Sequence, residues 1–267
     1  PLYREMPDSP YVQAPYLGTY YYLLNTQRPP VDDVRVRKAL AMSVDRDKLV
    51  RSVLQNTAVP AYSITPPDTL GYFPPKLFDY NPDEARRLLA EAGYPNGDGW
   101  PGVEILYNTQ EAHRKIAVAI QQMWKSELGI DVTISNQEWK VYLDAVTQID
   151  FQVARRGWIG DYVDANNFLD MFITGGGNNN THYADPVYDD LILYKAPKAV
   201  TREERYALFT QAETMLMEEM PIIPLYTYTS KHLIHPSVDG LYVNLMDSLN
   251  LKYVTLVPGR TLPEALR

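Results

Sequence analysis

Cysteine is absent from the 267 residues, which removes disulfides and thiolate metal sites from consideration and is compatible with an oxidising compartment without requiring one. No apolar run approaches the roughly 20 residues of a membrane-spanning helix, and the amino end lacks the charged-then-apolar pattern of a signal peptide. The chain begins at Pro1 rather than Met and so reads as a processed product or an excised piece. A basic face is missing too: the net charge of -8 argues against a nucleic-acid partner, which demands one. Phenylalanine is scarce, 6 against 21 tyrosines. Tyrosine pairs a stiff apolar ring with a hydrogen-bonding tip, which suits either half-buried sheet positions or a surface that meets amphipathic ligands.

Catalytic signatures are missing as well. There is no Gly-x-Ser-x-Gly elbow, zinc helix, EF-hand loop or dinucleotide fingerprint, so no catalytic residue and no cofactor is expected. The histidines, His113, His182, His232 and His235, are too dispersed to mark a metal site.

What is present is a core-forming 45% of hydrophobic residues arranged as alternating strands and helices, the pattern of an α/β layered fold. Residues 1–15 hold several prolines without periodicity and read as a loop or connection. Strands are predicted at 19–24, 103–107, 130–134 and 222–228. Helices are predicted from Asp33 to Met42, from Asp45 towards Leu54, from the cap Asn81-Pro82 to near Gly93, and from Glu111 to Leu128 with Gly129 as terminator. Others follow at 139–146, 166–173, 186–195, and from the capping box at Thr201 to about Met220. Gly175-Gly176-Gly177-Asn178-Asn179-Asn180 lacks the ending of a phosphate loop and reads as a mobile binding loop or a linker.

The most informative stretch is Phe151-Gln152-Val153-Ala154-Arg155-Arg156-Gly157-Trp158-Ile159-Gly160-Asp161-Tyr162. It runs a strand into two glycines, where a second backbone can approach closely, and supplies an indole, an arginine and a carboxylate. Tyr21, His113, Trp139, Arg155, Trp158, Asp161 and Tyr228 all fall at strand ends, where clefts form in α/β folds. One fixed carboxylate plus fixed cations suits a zwitterion, with Asp161 meeting an ammonium and Arg155 or His113 a carboxylate.

Pro15-Tyr16-Leu17-Gly18-Thr19-Tyr20-Tyr21-Tyr22, Val34-Arg35-Val36-Arg37-Lys38-Ala39-Leu40 with Asp45-Arg46, and Pro60-Ala61-Tyr62 carry a family resemblance. It continues through Leu89-Ala90-Glu91-Ala92-Gly93-Tyr94, Leu106-Tyr107-Asn108-Thr109, Asn136-Gln137-Glu138-Trp139-Lys140, the stretch above and Thr181-His182-Tyr183. The chain resembles the solute-binding proteins of bacterial ABC importers for peptides, extracellular solute-binding protein family 5, over nearly its whole length. The resemblance implies a mixed-sheet lobe of a type II periplasmic-binding-protein-like clamp. Residues 1–17 would connect toward a missing first lobe, 18–228 form the carboxy-terminal peptide-binding lobe, and 229–267 form a return segment and tail.

Carried over residue by residue, the resemblance gives Asp161 the peptide amino terminus, and Arg155 and His113 the carboxyl ends of peptides of different length. Trp139 and Trp158 line side-chain pockets, Tyr16, Tyr21 and Tyr228 lie near the ligand, and the backbone of Gly157 and Ile159 pairs with it as another strand would. Val146 and Leu54 depart from the pattern where an arginine and a lysine are expected, and Leu23 stands in place of an acid. The implied partners are short peptides, the membrane permease subunits of an ABC importer and the first lobe of the same protein. The implied location is the periplasm, or the outer face of the cytoplasmic membrane through a lipid anchor. Two other readings stay open on the residues: a peptide-processing hydrolase using Asp161 and His113 as acid and base, and an adaptor or sensor domain binding a protein partner.

Overall fold

The computed structural model describes residues 3, 4, 6 and 8–263. Its centre is a six-stranded mixed sheet in the order β2-β6-β1-β5-β3-β4. Strands β1 (Tyr11–Leu24), β2 (Ala58–Pro60), β5 (Val153–Ile159) and β6 (Ile222–Leu233) pair antiparallel, whereas β3 (Val103–Asn108) runs parallel to β4 (Val132–Gln137) and to β5.

The helices start where the sequence offers caps. Asp33 accepts from Arg35 N ahead of α1 (Val34–Met42), and Asp45 from Lys48 N at α2 (Arg46–Lys48), which continues as a wider turn to Val53. Asn81 accepts from Glu84 N before α3 (Pro82–Glu91), with proline at the first helical position, where its missing N–H costs nothing. Helix α4 (Glu111–Leu128) ends on Gly129 at φ 73°, a left-handed cap that favours glycine. Trp124 of α4 is fully buried and donates its indole N–H to Leu40 O at 2.9 Å, tying α4 to α1. Chain order β3, α4, β4, α5 (Trp139–Thr147), β5 sends the two crossovers in opposite directions, so right-handed connections put α4 and α5 on opposite faces of the sheet. The short α6 (Asn166–Leu169) and α7 (Pro186–Asp190) lead to α8 (Arg202–Glu219). Thr201 Oγ1 accepts from Glu204 N as the capping box predicts, but Glu204 reaches back to Val200 N, one residue earlier than expected.

Two expectations need correction. β1 begins at Tyr11 and not at Thr19, because Tyr11–Pro15 pairs residue for residue with Thr229–Leu233 of β6. The proline content suggested a loop, yet Pro15 stands at a shift in the β1/β6 register, a place where a strand tolerates proline. Strands β1 and β6 cross the divisions drawn at 17/18 and 228/229, with their ladder interrupted between Pro15 and Thr19. Pro1, Leu2, Glu5 and Pro7 of the expected connection and residues 264–267 of the tail lie outside the described residues. The loop 175–180 is not a plain linker: Asn179 Nδ2 donates to Phe172 O, Ile173 O and Tyr183 O, three ties that fix its path. A separate two-stranded ribbon, β7 (Val238–Asp239) with β8 (Thr255–Leu256), closes the chain.

A candidate peptide-binding edge

Residues directly opposite in an antiparallel pair share a sheet face. The register Tyr20↔Gly157, Tyr22↔Arg155 and Gly18↔Ile159 therefore puts Arg155, Gly157 and Ile159 on one face with Tyr20, and Arg156 and Trp158 on the other with Tyr21. Tyr20, not Tyr21, is the centre of the first group. Its ring stacks on Tyr226 at 4.7 Å, meets Tyr228 edge-on at 6.4 Å and carries the Arg155 guanidinium 4.8 Å from its centroid. Tyr21 is 2% exposed and lies against Arg156, so the structure does not bring it to this group. A run of three tyrosines has no phase of its own; only the partner strands decide which ring faces which way.

Arg155 is held loosely. Nη1 donates to Asn108 Oδ1 at 3.3 Å, Nη2 to Tyr228 Oη at 3.5 Å, and Nε has no partner although it is buried. No described carboxylate pairs with it. His113 on α4 is beside it and is not the fixed cation expected. It is 7% exposed, its Nδ1 lies 3.2 Å from Tyr20 Oη, and burial, then the Arg155 charge, push its pKa down to about 4. At neutral pH it is an uncharged ring. Among the described residues its hydrogen bond is to Tyr20 and none joins it to Asp161. Val146 and Leu23, where the resemblance leads to charged groups, are each 1% exposed and belong to the core.

The backbone of β5 supplies the remaining feature. Asn25 N donates to Gln152 O and Gly160 N to Leu17 O, so the even-numbered residues of β5 turn their N–H and C=O groups toward β1. The odd-numbered ones point to the opposite side, where pairing with β3 stops at Leu106↔Ala154. Arg155 O is taken by the Tyr142 hydroxyl from α5. Gly157 and Ile159 are left with uncovered backbone groups on that side. Trp139, half exposed, stacks on Tyr142 with centroids 6.1 Å apart. A Cβ on Gly157 would lie 2.5 Å from Tyr228 Oη, so a larger residue would displace that hydroxyl. Tyr16 is half-buried where the β1/β6 register shifts and lies near Tyr228.

At the far end of the edge Asp161 is exposed, and its carboxylate has no cation among the described residues. Its own N–H donates to Asn167 Oδ1 at 2.9 Å, and Trp158 Nε1 donates to the same oxygen at 3.0 Å. Tyr20, Tyr142, Asn108 and Asn167 were not singled out from the sequence. A side chain that bonds to distant backbone or to a residue across a turn leaves no periodic trace. The result is a strand edge two residues long, with an unpaired carboxylate at one end and an underemployed guanidinium at the other.

Residues 1–180 match the family described as bacterial extracellular solute-binding proteins, family 5 Middle. The chain belongs to that family. Among family 5 relatives, the periplasmic oligopeptide-binding protein of Escherichia coli (strain K12) is 41% identical over 245 residues, 90% of this chain and 45% of the relative. The solved structure of the Escherichia coli murein tripeptide binding protein superposes with a TM-score of 0.84 at 38% identity, over 96% of this chain and 51% of that one. The Haemophilus influenzae oligopeptide-binding protein, solved in complex with the peptide RPPGFSPFR, gives a TM-score of 0.79 at 35% identity, over 92% of this chain and 50% of that one. The fold is that of the periplasmic-binding-protein-like relatives, and the chain spans about half the length of the curated relatives it matches. No described helix is long and apolar enough to cross a membrane.

Proposed function

We propose that this chain is the carboxy-terminal lobe of a peptide-binding receptor that serves an ABC importer, capturing short peptides in an extended conformation against a first lobe. Its relatives bear the names of periplasmic oligopeptide- and murein peptide-binding proteins, which supports a place in the periplasm, where it would hand peptide to permease subunits; a lipid tether at the outer face of the cytoplasmic membrane is the alternative. The observation that carries the reading is the uncovered edge at Gly157 and Ile159 between Asp161 and Arg155. A peptide strand laid there gains main-chain hydrogen bonds that do not depend on its sequence, its ammonium meets Asp161, and a carboxylate within reach meets Arg155. Trp139, Trp158, Tyr16 and Tyr228 then stand in the walls around the ligand, and His113 offers a neutral hydrogen-bonding ring.

Replacing Asp161 by Asn in the two-lobed receptor leaves the ligand ammonium unpaired in a closed cleft. The expected loss is about 100- to 1000-fold in affinity for tri- and tetrapeptides, measured by calorimetry. An unchanged Kd, or equal binding of amino-acetylated peptides by the wild type, would falsify the assignment.

A further inference from the structure

The turn that carries Asp161 is organised around a side chain that touches neither edge nor carboxylate. Asn167, in the short helix α6, is 4% exposed. Its Oδ1 accepts from Trp158 Nε1 at 3.0 Å and from Asp161 N at 2.9 Å. The chain between those two donors wraps tightly: Gly160 N donates to Leu17 O at 2.8 Å, and a Cβ on Gly160 would meet Leu17 Cδ2 at 2.7 Å and Asn167 Oδ1 at 3.3 Å. The indole, the glycine and the carboxylate-bearing residue are thus closed around one oxygen.

We propose that Asn167 is a positioning residue for peptide capture: its side-chain oxygen locks the Trp158 indole and the Asp161 backbone together, so that the Asp161 carboxylate meets a ligand ammonium from a turn already fixed. The inference rests on the proposed function and adds to it the group that prepares the amino-terminal contact. An amide is the right chemistry. A carbonyl oxygen has two lone pairs and takes both N–H donors, whereas an apolar side chain of similar size takes neither. A carboxylate would also accept both, but it would add charge where Asp161, Asp164 and Asp170 already crowd. The Asp170 carboxyl is held above its usual range by burial and then by the charges of Asp161 and Asp164. Arg205 answers Asp164 through Nη2 to Oδ1 at 3.0 Å and leaves Asp161 to the ligand. Preorganisation of this kind raises affinity because the ordering is complete before the peptide arrives.

The test compares Asn167→Leu, which deletes the acceptor, with Asn167→Asp, which keeps it. Two readouts are taken in the two-lobed receptor: solvent exchange of the Trp158 indole and Asp161 backbone N–H by NMR, and the ratio of affinities for free and amino-acetylated tripeptide by calorimetry. Asn167→Leu is expected to accelerate both exchanges and to cut the preference for the free amino terminus about tenfold, with acetylated peptide changed less than about threefold. Asn167→Asp is expected to keep both exchanges slow and the preference intact. A leucine variant that retains the preference, an aspartate variant that loses it, or unprotected Trp158 and Asp161 N–H groups in the wild type would each overturn the proposal. The wild-type exchange and the aspartate variant decide the matter even where the leucine variant does not fold. A wild type that binds no peptide, yet protects both N–H groups, overturns the proposed function rather than the tie that Asn167 makes.

Discussion

Two arginines, Arg46 and Arg155, sit against aromatic rings without a carboxylate partner, and they are held in opposite ways. Arg46 is fully buried between Tyr62 and Phe78, with ring centroids 5.0 and 4.9 Å from its guanidinium carbon. Its Nε donates to Pro224 O at 2.8 Å and its Nη1 to Ala41 O and Val44 O at 3.0 and 3.1 Å, leaving only Nη2 without a partner. Arg155 has one ring beneath it and two long bonds to neutral side chains. Bonds to backbone carbonyls of α1, the α1–α2 connection and β6 make the first arginine a fastener of the fold. Long bonds to neutral side chains leave the second free for the role proposed for it.

Each arginine has a titratable companion in its region. The 62–80 loop that packs Tyr62 and Phe78 on Arg46 also supplies Thr65 N and Tyr72 Oη to Glu213 of α8, each at 2.9 Å. Burial pushes the Glu213 carboxyl up to about 7. Near Arg155, His113 is driven the other way, to about 4.

The contrast breaks most visibly in stability. Arg46→Met leaves the Ala41, Val44 and Pro224 carbonyls without their donors, and a loss of about 4 kcal/mol is expected from urea unfolding. Equal losses from Arg46→Met and Arg155→Met would erase the distinction.

Next in size is the pH dependence, where the companions oppose each other. Glu213 binds its proton more tightly in the folded chain than at the ordinary 4.5. Its contribution therefore declines as pH rises from about 4.5 to about 7, by about 3 kcal/mol. His113 holds its proton less tightly than at the ordinary 6.5, so its contribution is present above that value and is lost as pH falls toward about 4, by about 3 kcal/mol. The slopes nearly cancel in the wild type. Glu213→Gln exposes the histidine slope, with stability rising with pH, and His113→Gln exposes the opposite one. Unfolding midpoints that follow the wild-type profile in both variants would show that neither group carries the assigned shift.

The smallest stability effect belongs to Arg155→Met, less than about 1 kcal/mol, because only two long bonds from a half-buried side chain to neutral partners are lost. Binding tells it apart. Each residue of an extended ligand advances its carboxylate by about 3.3 Å, so affinity should change unevenly across di- to pentapeptides, and the His113 titration should move upward by NMR. A uniform loss across lengths would assign the arginine to structure.

Most of the architecture was legible because caps and periodicity are local. Asp33, Asn81, Gly129 and Thr201 announce helix ends within a few residues of themselves. The start of β1 was not legible, since only pairing with Thr229–Leu233 rescues a proline-bearing segment for the sheet. At the site, Asp161, Arg155 and Gly157 stand out by residue type at a strand end, and Tyr228 joins them. The phase of Tyr20 against Tyr21 depends on neighbours far away in sequence, as does the neutral state of His113, which is set by burial and by Arg155. Asn167 and Tyr142 act on backbone or across a turn, and composition has no record of that.

The brevity of the open β5 edge has a further consequence, for solubility. An exposed strand edge is a template on which other copies can build, and a site of the proposed kind, which would bind peptide backbone without regard to sequence, cannot discourage this with charged side chains alone. Here the Tyr142 hydroxyl occupies the Arg155 carbonyl at one end, and the Asp161 N–H is tied to Asn167 at the other. The two residues between would suffice for the proposed ligand, fixed by charges at its ends, yet they are too short a template for a second sheet to nucleate upon.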